Sequence, residues 1–450
     1  MLDSMQKKNI IRGKCVDISS EGKGVIKTVY GVVFVDSLLL GEEAEVEITY
    51  AGKGVSYGEI KKLITKSKDR IQPKCPISTA CGGCVFQNAT YDYELRYKKH
   101  KVEESLKRIG HLDGLKVNDV IGMEKPEHYR NKIQVPFGKE NKHVVYGFYK
   151  AKTHRIIPIK QCNIEDEKAG PVLQSIATLM EEFHINPYNE DYRTGIIRHV
   201  LIRTSLLTNE VMVVFVANVD TFPGRNNFVK ELMKRNPEIS TIIYNVNKRD
   251  TNVILGESEK VLYGKGFITD EIMGLKFNIS PQSFYQINPI QVQKLYKTAI
   301  NYANLSKNDT VLDAYAGVCT IGLLAAPHCK KVTSVELEKS AVINGKNNAQ
   351  INGIKNIEII EADCTKFINQ KLPKFDVLIM DPPRKGSTPE FLNAVKKIKP
   401  KTVVYVSCDP ATLARDLAMM VDTYEIKQIQ PVDMFPRSFH VECVVQLSLK

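Results

Sequence analysis

The sequence lacks both an apolar run long enough to cross a membrane and the apolar leader of an exported protein. No run approaches the ~20 residues that a membrane-spanning helix requires. Residues 1–14 are polar, whereas a secretory leader has an apolar centre. We therefore expect a cytoplasmic protein that does not enter the membrane.

Acidic residues are outnumbered by basic ones. The 450 residues include 51 Asp and Glu against 63 Lys and Arg, which gives a formal net charge of +12. Basic residues occur along the whole chain, so the excess is not confined to a tail. Because neutralising phosphates releases their counterions, such a surface favours nucleic acid as a partner. A basic surface that serves solubility alone is the alternative.

Disulfide bonds are not expected in a cytoplasmic protein, so the 10 cysteines are candidates for core residues, metal ligands or a nucleophile. Cys75, Cys81 and Cys84 form a cluster, and Cys162 follows much later in the chain. Three clustered cysteines and a distant fourth suit either zinc or an iron–sulfur cluster. The spacing does not choose between these two, and a chance grouping is the third alternative.

Changes of pattern along the chain indicate three domains. Residues 1–62 show short strands separated by glycine turns, which predicts a small OB-like β-barrel. Residues 63–275 mix strands and helices, an α+β pattern, and a helix at about 91–112 is a candidate for packing on the following domain. Residues 276–450 predict an α/β, doubly wound, Rossmann-like sheet with its ligand site at the carboxyl ends of the strands. Its strands are expected at 310–315, 332–337, 357–362, 376–381, 402–407 and 441–449.

The first of these strands leads into a turn of small residues, 313–322, that opens a helix. Such a turn lets backbone N–H groups approach a ligand closely. Glu336 ends the next strand and is placed to accept hydrogen bonds from ribose hydroxyls, and Asp363 ends the third. Cys319 stands where a nucleotide-binding loop favours glycine. An ordinary strand-to-helix turn with a surface glutamate is the alternative.

Two later strand ends carry reactive side chains. Asp381 is followed by Pro382 and Pro383, which make the loop rigid. Cys408 lies between a buried strand and a helix start, where the helix N-terminus is expected to lower the pKa of its thiol. An inert buried thiol is the alternative for Cys408, but its place at a strand end favours a nucleophile.

These motifs together resemble the RNA uracil-5 methyltransferase family. The matching stretches are 280–288, 313–322, 381–386, 407–416 and 440–442. The resemblance implies a methyltransferase domain in which Cys408 attacks carbon 6 of uracil and Glu442 removes the carbon 5 proton. It also implies that Gln286, Tyr315, Glu336 and Asp381 line the S-adenosylmethionine site, with Asp363 as a further candidate. A solvated carboxylate is the alternative for Glu442.

The family resemblance extends to the cysteine cluster and the barrel. The Cys81–Gly82–Gly83–Cys84 run resembles the 4Fe-4S motif of the ribosomal RNA members, which implies Cys75, Cys81, Cys84 and Cys162 as ligands. The barrel resembles the RNA-binding TRAM domain, and 129–132 resembles an RNA-contact segment. We therefore expect a monomer that modifies 23S ribosomal RNA, with the target base flipped out of its stack.

Three alternatives remain open at this point. A transfer RNA enzyme would use the same chemistry, whereas a noncatalytic iron–sulfur RNA-binding factor would not need Cys408 or Glu442. An adenine amino-methylating enzyme has an aromatic residue after the two prolines, where this chain has Arg384. Two departures from the family pattern also stand near the reacting groups: Asp409 replaces the usual Asn and is expected to oppose thiolate formation, and Cys443 replaces Thr.

Overall fold

The computed structural model describes residues 10–150, 153–251, 253–371 and 374–450. Its first five strands form a closed barrel in the order β1-β2-β3-β5-β4. They are β1 (Ile10–Ile18), β2 (Gly24–Thr28), β3 (Gly31–Val35), β4 (Glu43–Ala51) and β5 (Val55–Thr65). Alternate side chains such as Ala44, Val46 and Ile48 point into the barrel core. The predicted barrel is therefore present, and residues 1–9 of the predicted first domain lie outside the described residues.

Two helices follow the barrel, α1 (Ser78–Cys81) and α2 (Tyr91–Arg108). The Thr90 side chain caps α2 by accepting a hydrogen bond from the Tyr93 backbone. Val102 and Leu106 on α2 join the core of the C-terminal sheet rather than that of the central one. The helix therefore ties the region after the barrel directly to the C-terminal part of the chain.

The central region is a seven-stranded sheet in the order β12-β11-β10-β9-β6-β7-β8. Its strands are β6 (Lys132–Glu140), β7 (His143–Tyr149), β8 (Ile156–Pro158), β9 (Ile197–Thr204), β10 (Val211–Ala217), β11 (Ile239–Val246) and β12 (Ser258–Tyr263). One face packs on α3 (Ala169–Glu182) and α4 (Arg225–Arg235). A two-stranded sheet, β13 (Ile268–Ile272) and β14 (Leu275–Ile279), leads out of this region.

The C-terminal sheet has seven strands in the order β17-β16-β15-β18-β19-β21-β20. They are β15 (Thr310–Ala314), β16 (Lys331–Glu336), β17 (Ile357–Glu361), β18 (Val377–Met380), β19 (Thr402–Ser407), β20 (Tyr424–Val432) and β21 (Glu442–Leu449). The helices are α5 (Pro289–Ala303), α6 (Thr320–Ala325), α7 (Lys339–Ile351), α8 (Cys364–Lys371), α9 (Pro389–Ile398) and α10 (Pro410–Ala418), with a short 3-10 helix at Ala326–His328.

This arrangement confirms the doubly wound sheet that the sequence predicts. Strands β15 to β19 are parallel, and all six predicted strands are present with bounds that differ by one residue at most. The sequence missed β20, which is an edge strand with β21 as its neighbour. Its exposed residues Glu425, Lys427 and Gln428 are polar, as is common on an edge strand, so the apolar pattern of β20 is weak.

The central and C-terminal sheets share one core. Leu201, Met212 and Val214 of the central sheet pack in the same apolar cluster as Val311 and Ile379 of the C-terminal sheet. A shared core holds the two sheets in one orientation. No helix in the described part of the chain has the length and apolarity to cross a membrane.

Candidate active site

The strand order of the C-terminal sheet fixes where a ligand can bind. β15 has β16 on one side and β18 on the other. The chain continues from β15 to β16 on the first side and from β18 to β19 on the second, so the connections that leave β15 and β18 run in opposite directions. In such sheets the ligand crevice lies outside the carboxyl ends of the strands. A cavity of about 360 Å³ is present at this edge, and five predicted residues line it: Gln286, Tyr315, Asp381, Cys408 and Glu442.

Strand pairing brings the predicted nucleophile and base together. β21 runs antiparallel to β19, and Ser407 lies opposite Cys443. The residue after Ser407 and the residue before Cys443 therefore meet at the same edge of the sheet. These residues are Cys408 and Glu442, which are separated by more than thirty positions in the chain.

The Cys408 thiol is protonated in this arrangement. Burial is the largest cause, and together with the charges of Glu442 and Asp381 it raises the pKa to about 12, although Arg384 acts to lower it. The expectation that the following helix lowers this pKa is therefore wrong for the free protein. The helix N-terminus is also occupied, because the Asp409 Oδ1 accepts hydrogen bonds from the Ala411 and Thr412 N–H groups, at 2.9 and 3.0 Å. As expected from the sequence, the Asp409 charge opposes thiolate formation, although its effect on the pKa is smaller than that of burial.

Three carboxyl groups in the cavity have raised pKa values. Burial, together with the charge of Asp381, raises the pKa of Glu442 to about 8. Burial and the charge of Asp313 raise the pKa of Asp381 to about 7, and burial raises that of Asp313 to about 7. Carboxyl groups that titrate near neutral pH can accept or return a proton during a reaction.

The turn after β15 is held in an unusual backbone conformation. Tyr315 and Cys319 have φ values of +61° and +62°, in the left-handed region that favours glycine. The Tyr315 hydroxyl lies 3.0 Å from that of Ser387, and the Gly317 N–H donates to Glu336 at 2.8 Å. The position of Cys319 thus has the glycine-like geometry that the sequence suggests.

Glu336 and Asp363 are not walls of the described cavity. Both Glu336 carboxylate oxygens accept backbone N–H groups, one from Gly317 and one from Glu338. The Asp363 carboxylate accepts from the Lys366 N–H at 2.9 Å. Glu336 therefore holds the cavity-lining turn in place, and Asp363 stands at the same sheet edge, one strand further out.

Comparisons with known proteins agree with this geometry. Residues 90–450 match the model of the tRNA (uracil-5-)-methyltransferase family. The chain belongs to this family. An RNA methyltransferase of Oceanobacillus iheyensis is 42% identical over 443 residues, which cover 96% of this chain and 95% of that protein. One from Clostridium acetobutylicum is 41% identical over 436 residues, with 95% of each chain covered.

A solved structure shows the same architecture over nearly the whole chain. It is the tRNA (uracil-54, C5)-methyltransferase of Pyrococcus abyssi in complex with S-adenosyl-L-homocysteine. The match has a TM-score of 0.80 and 27% identity, and it covers 97% of this chain and 100% of that one. The protein is thus an enzyme of the S-adenosylmethionine-dependent RNA uracil-5 methyltransferase family, with a methyltransferase fold preceded by a five-stranded barrel.

The Asp381 loop of this methyltransferase is anchored by one buried carboxylate. Asp416 accepts hydrogen bonds from the Ser387 N–H at 2.8 Å and the Tyr405 hydroxyl at 2.7 Å, and it pairs with Arg415. Gly386 has φ +76°, and a Cβ there would lie 2.7 Å from the Asp416 carboxylate. The loop that presents Asp381 is therefore fixed at its far end.

Several lining residues of the methyltransferase cavity were not predicted from the sequence: Phe284, Asp313, Arg384, Phe435 and His440. Asp313 had a signal, since it is the one charged residue in the apolar strand Thr310–Ala314. Phe284 and Arg384 lie inside the stretches 280–288 and 381–386 that resemble the family. The residue spacing within these stretches does not distinguish side chains that line the cavity from their neighbours. Phe435 had no signal in its own segment.

The four predicted cluster ligands are free thiols that lie near one another. Burial, with smaller effects of the neighbouring Cys81 and Cys75, raises the pKa of Cys84 to about 11. Burial, Glu165 and the charge of Cys84 raise the pKa of Cys162 to about 12. Within the described part of the chain, no three His, Cys, Asp or Glu side chains approach closely enough to hold a single metal ion.

Proposed function

We propose that the enzyme methylates carbon 5 of a uridine in RNA through a covalent adduct between Cys408 and carbon 6 of the base. The observation that carries this proposal is the meeting of Cys408, Glu442 and Asp381 in one cavity at the carboxyl edge of the sheet. Carbon 5 of uracil is a weak nucleophile, and addition of sulfur at carbon 6 makes it reactive. A carboxylate must then remove the carbon 5 proton.

The residues of the cavity account for each proton. The Cys408 thiol passes its proton to the Asp381 carboxylate as the sulfur bonds to carbon 6. Carbon 5 takes the methyl group of S-adenosylmethionine, and S-adenosylhomocysteine leaves. Glu442 accepts the carbon 5 proton, the carbon–sulfur bond breaks with its electron pair returning to sulfur, and Asp381 returns its proton. The proton on Glu442 is released to solvent, which balances the loss of the sulfonium charge.

The same cavity offers a site for the methyl donor. We assign Gln286, Tyr315 and Asp381 as direct contacts of S-adenosylmethionine, because all three line the cavity. Glu336 supports the site through its hydrogen bond to Gly317, and Asp363 is the outer candidate at the same edge. The homocysteine complex of the Pyrococcus enzyme, which has the same fold, supports a donor site in this crevice.

The four clustered cysteines are relevant to which class of RNA the enzyme modifies. We propose that Cys75, Cys81, Cys84 and Cys162 hold a 4Fe-4S cluster, which would join the segment after the barrel to the central region. Four neighbouring free thiols supply the right donors.

The proposed substrate is 23S ribosomal RNA. The cysteine set and the barrel support this choice, because both resemble features of the ribosomal RNA members of the family. Transfer RNA is the second candidate, and the similarity of the whole fold to the Pyrococcus transfer RNA enzyme favours it. Both candidates require the same chemistry at Cys408.

The test is to give the purified enzyme 23S ribosomal RNA and transfer RNA from cells in which its gene is deleted, together with S-adenosylmethionine. We expect 5-methyluridine to appear in the ribosomal RNA with the wild-type enzyme and not with Cys408→Ala. 5-Methyluridine in transfer RNA alone would move the assignment to the second candidate. Equal conversion by wild type and Cys408→Ala would overturn the mechanism.

A further inference from the structure

His440 lies in the wall of the catalytic cavity, and the reaction proposed above gives it no role. It stands two residues before Glu442, which begins β21. The residue is partly exposed, and within the described part of the chain neither ring nitrogen has a hydrogen-bond partner. Both nitrogens keep accessible surface, unlike the unpaired polar atoms that the fold buries completely, so a ligand in the cavity can reach them.

The orientation of the His440 ring is fixed by its neighbours. The ring packs against Phe439, with centroids 4.2 Å apart at an interplanar angle of 38°, and stands edge-on to Phe435 at 6.0 Å. The Lys101 ammonium donates a hydrogen bond to the Phe439 carbonyl at 2.9 Å and so anchors the loop that carries the ring. A polar group held in place before the substrate binds needs no reorganisation during the reaction.

The imidazole of His440 is neutral at physiological pH. Burial is the largest cause of a pKa lowered to about 4, and three cations act in the same direction, namely Arg384, Lys101 and Lys98. The nearby Asp409 opposes them with a smaller effect. So weak a base does not take a proton from a thiol, whereas a neutral imidazole always presents one N–H donor. The chemistry of the ring therefore favours a hydrogen bond to an oxygen atom of the substrate.

Positive charge lies beside His440 and Cys408. Arg384 is the one cation among the described residues that line the cavity. Its charge acts to lower the pKa of the Cys408 thiol as well as that of His440, so the three side chains lie in the same part of the cavity. Its guanidinium forms no salt bridge or hydrogen bond with another described residue. A free cation and an N–H donor next to the nucleophile are suited to stabilise negative charge that develops on the substrate.

Addition of Cys408 to the uracil ring produces such a charge. As sulfur bonds to carbon 6, the electron pair of the carbon 5–carbon 6 double bond moves between carbons 5 and 4, and the pair of the carbon 4 carbonyl moves onto its oxygen. When carbon 5 bonds the methyl group, the carbonyl is restored. A hydrogen bond to this oxygen is therefore strongest in the intermediate, and it lowers the barrier to its formation.

We propose that His440 donates a hydrogen bond to the carbon 4 oxygen of the target uracil and so stabilises the enolate that forms when Cys408 adds to carbon 6. The inference rests on the proposed function, because it assigns a further catalytic residue to the same reaction. The proton stays on the imidazole throughout, and Arg384 adds positive charge next to the same oxygen.

The first test measures how fast the covalent complex forms. The probe is a synthetic RNA oligonucleotide that spans the uridine found to be methylated in the assay above, with 5-fluorouridine at that position and S-adenosylmethionine present. His440→Phe retains an aromatic ring against Phe439 but removes the donor, so we expect the complex to form about a hundredfold more slowly. His143→Phe is the control, because the His143 side chain is 77% exposed and lies outside the cavity. Formation of the complex at equal rates by wild type and His440→Phe would overturn the inference.

The second test changes the acceptor instead of the donor. Sulfur accepts hydrogen bonds weakly, so with 4-thiouridine at the target position the single-turnover methylation rate should fall less than about tenfold from wild type to His440→Phe. With 2-thiouridine, which alters the other carbonyl, the loss should stay at about a hundredfold. A residue that only supports the fold would show the same loss with uridine and with both thiouridines. A full loss with 4-thiouridine, or a reduced loss with 2-thiouridine alone, would overturn the inference.

These outcomes are distinct from a failure of the proposed function. The absence of a covalent complex with the wild type contradicts the proposed function itself. A wild-type complex that forms no faster than that of His440→Phe overturns this inference alone. Because the hydrogen bond is made mainly in the enolate, kcat is expected to fall in His440→Phe while the KM for RNA stays within about twofold. His440→Leu, with a smaller apolar side chain, is measured in parallel with the same expectations.

Discussion

At the scale of single residues, the chemistry depends on where protons reside before the substrate binds. Cys408 holds its proton because burial and two carboxylates raise its pKa. The sequence predicted Cys408 and Glu442 from their motif, but not this protonation state. The pKa of the thiol is raised first by burial and then by Glu442 and Asp381, which come from other strands, with a smaller effect of Asp409 at the helix N-terminus. Such effects depend on contacts between distant parts of the chain, which a local motif does not contain.

The raised pKa of Glu442 predicts the pH dependence of the reaction. In the proposed mechanism Glu442 is the base and must be a carboxylate, and burial together with the charge of Asp381 raises its pKa to about 8. The single-turnover rate of methylation should therefore rise as pH increases through about 8, with a log-rate slope of about one between about pH 7 and 8. Below about pH 7 the slope should steepen, because Asp381, whose pKa is about 7, is then protonated as well and cannot accept the Cys408 proton. Rates measured at saturating RNA and methyl donor would check this. A rate that is flat across that range would contradict the role of Glu442.

The Glu442→Gln variant provides a second test of Glu442 as the proposed base. Gln keeps the size of the side chain but cannot accept the carbon 5 proton, so methylated RNA should stay attached to the enzyme. Denaturing gel electrophoresis would show this as a covalent complex on ordinary uridine RNA. Release of 5-methyluridine by this variant at the wild-type rate would exclude Glu442 as the base.

At the scale of structural elements, strand ends and loop anchors hold the site. The sequence predicted the strands of the C-terminal sheet well, because buried parallel strands are continuous apolar runs. It did not predict β20, an edge strand with polar outer residues, or the role of Asp416 under the Asp381 loop. Asp416 lies on α10, whereas its partners Ser387 and Tyr405 come from other elements. Its role as an anchor of the Asp381 loop can therefore be recognised only once the fold is known.

Gly386→Ala tests the anchored loop. The backbone at position 386 has φ +76°, which an L side chain rarely adopts. The new Cβ would lie 2.7 Å from the Asp416 carboxylate and 2.5 Å from the Arg415 guanidinium. We expect a loss of about 1–3 kcal/mol in stability and a lower kcat, because the loop carrying Asp381 must move. Gly353→Ala is the matched control, since Gly353 has φ +65° with no atom within 4 Å of the added Cβ. Equal effects of the two changes on kcat would contradict the loop argument.

At the scale of the whole molecule, α2 connects the cysteine segment to the catalytic wall. Lys98 is fully buried and lies 2.6 Å from both Glu94 and Asp433. The Arg437 N–H donates to Glu94 at 2.7 Å, and the Arg437 carbonyl accepts from the Val85 N–H at 2.7 Å. Val85 follows a proposed cluster ligand, and the stretch from Asp433 to Arg437 contains a wall of the catalytic cavity. The sequence predicted the helix but not this buried ion group.

Lys98→Met tests that connection. Removing the cation leaves Glu94 and Asp433 buried without it, and loss of one partner of a buried ion pair costs about 3–5 kcal/mol. Thermal unfolding should therefore shift strongly to lower temperature. Lys99→Met is the control, because Lys99 pairs with the exposed Asp119 and should change stability by about 1 kcal/mol or less. Similar melting temperatures for the two variants would show that the buried group contributes little.

Iron content tests the proposed cluster independently of methylation. Enzyme purified without oxygen should contain roughly four irons per chain, and Cys84→Ala should lose most of them. Cys329→Ala is the control, because Cys329 is a buried cysteine of the C-terminal core. Iron that is absent from the wild type, or unchanged in Cys84→Ala, would contradict the assignment of these ligands.

The most direct measurement of the central claim uses RNA that contains 5-fluorouridine. Fluorine at carbon 5 cannot be removed as a proton, so the reaction should stop after methyl transfer with the RNA still bonded to Cys408. With S-adenosylmethionine present, a denaturing gel should show a covalent protein–RNA complex for the wild type and Cys329→Ala, and none for Cys408→Ala. No complex with the wild type, or an equal amount with Cys408→Ala, would contradict the account.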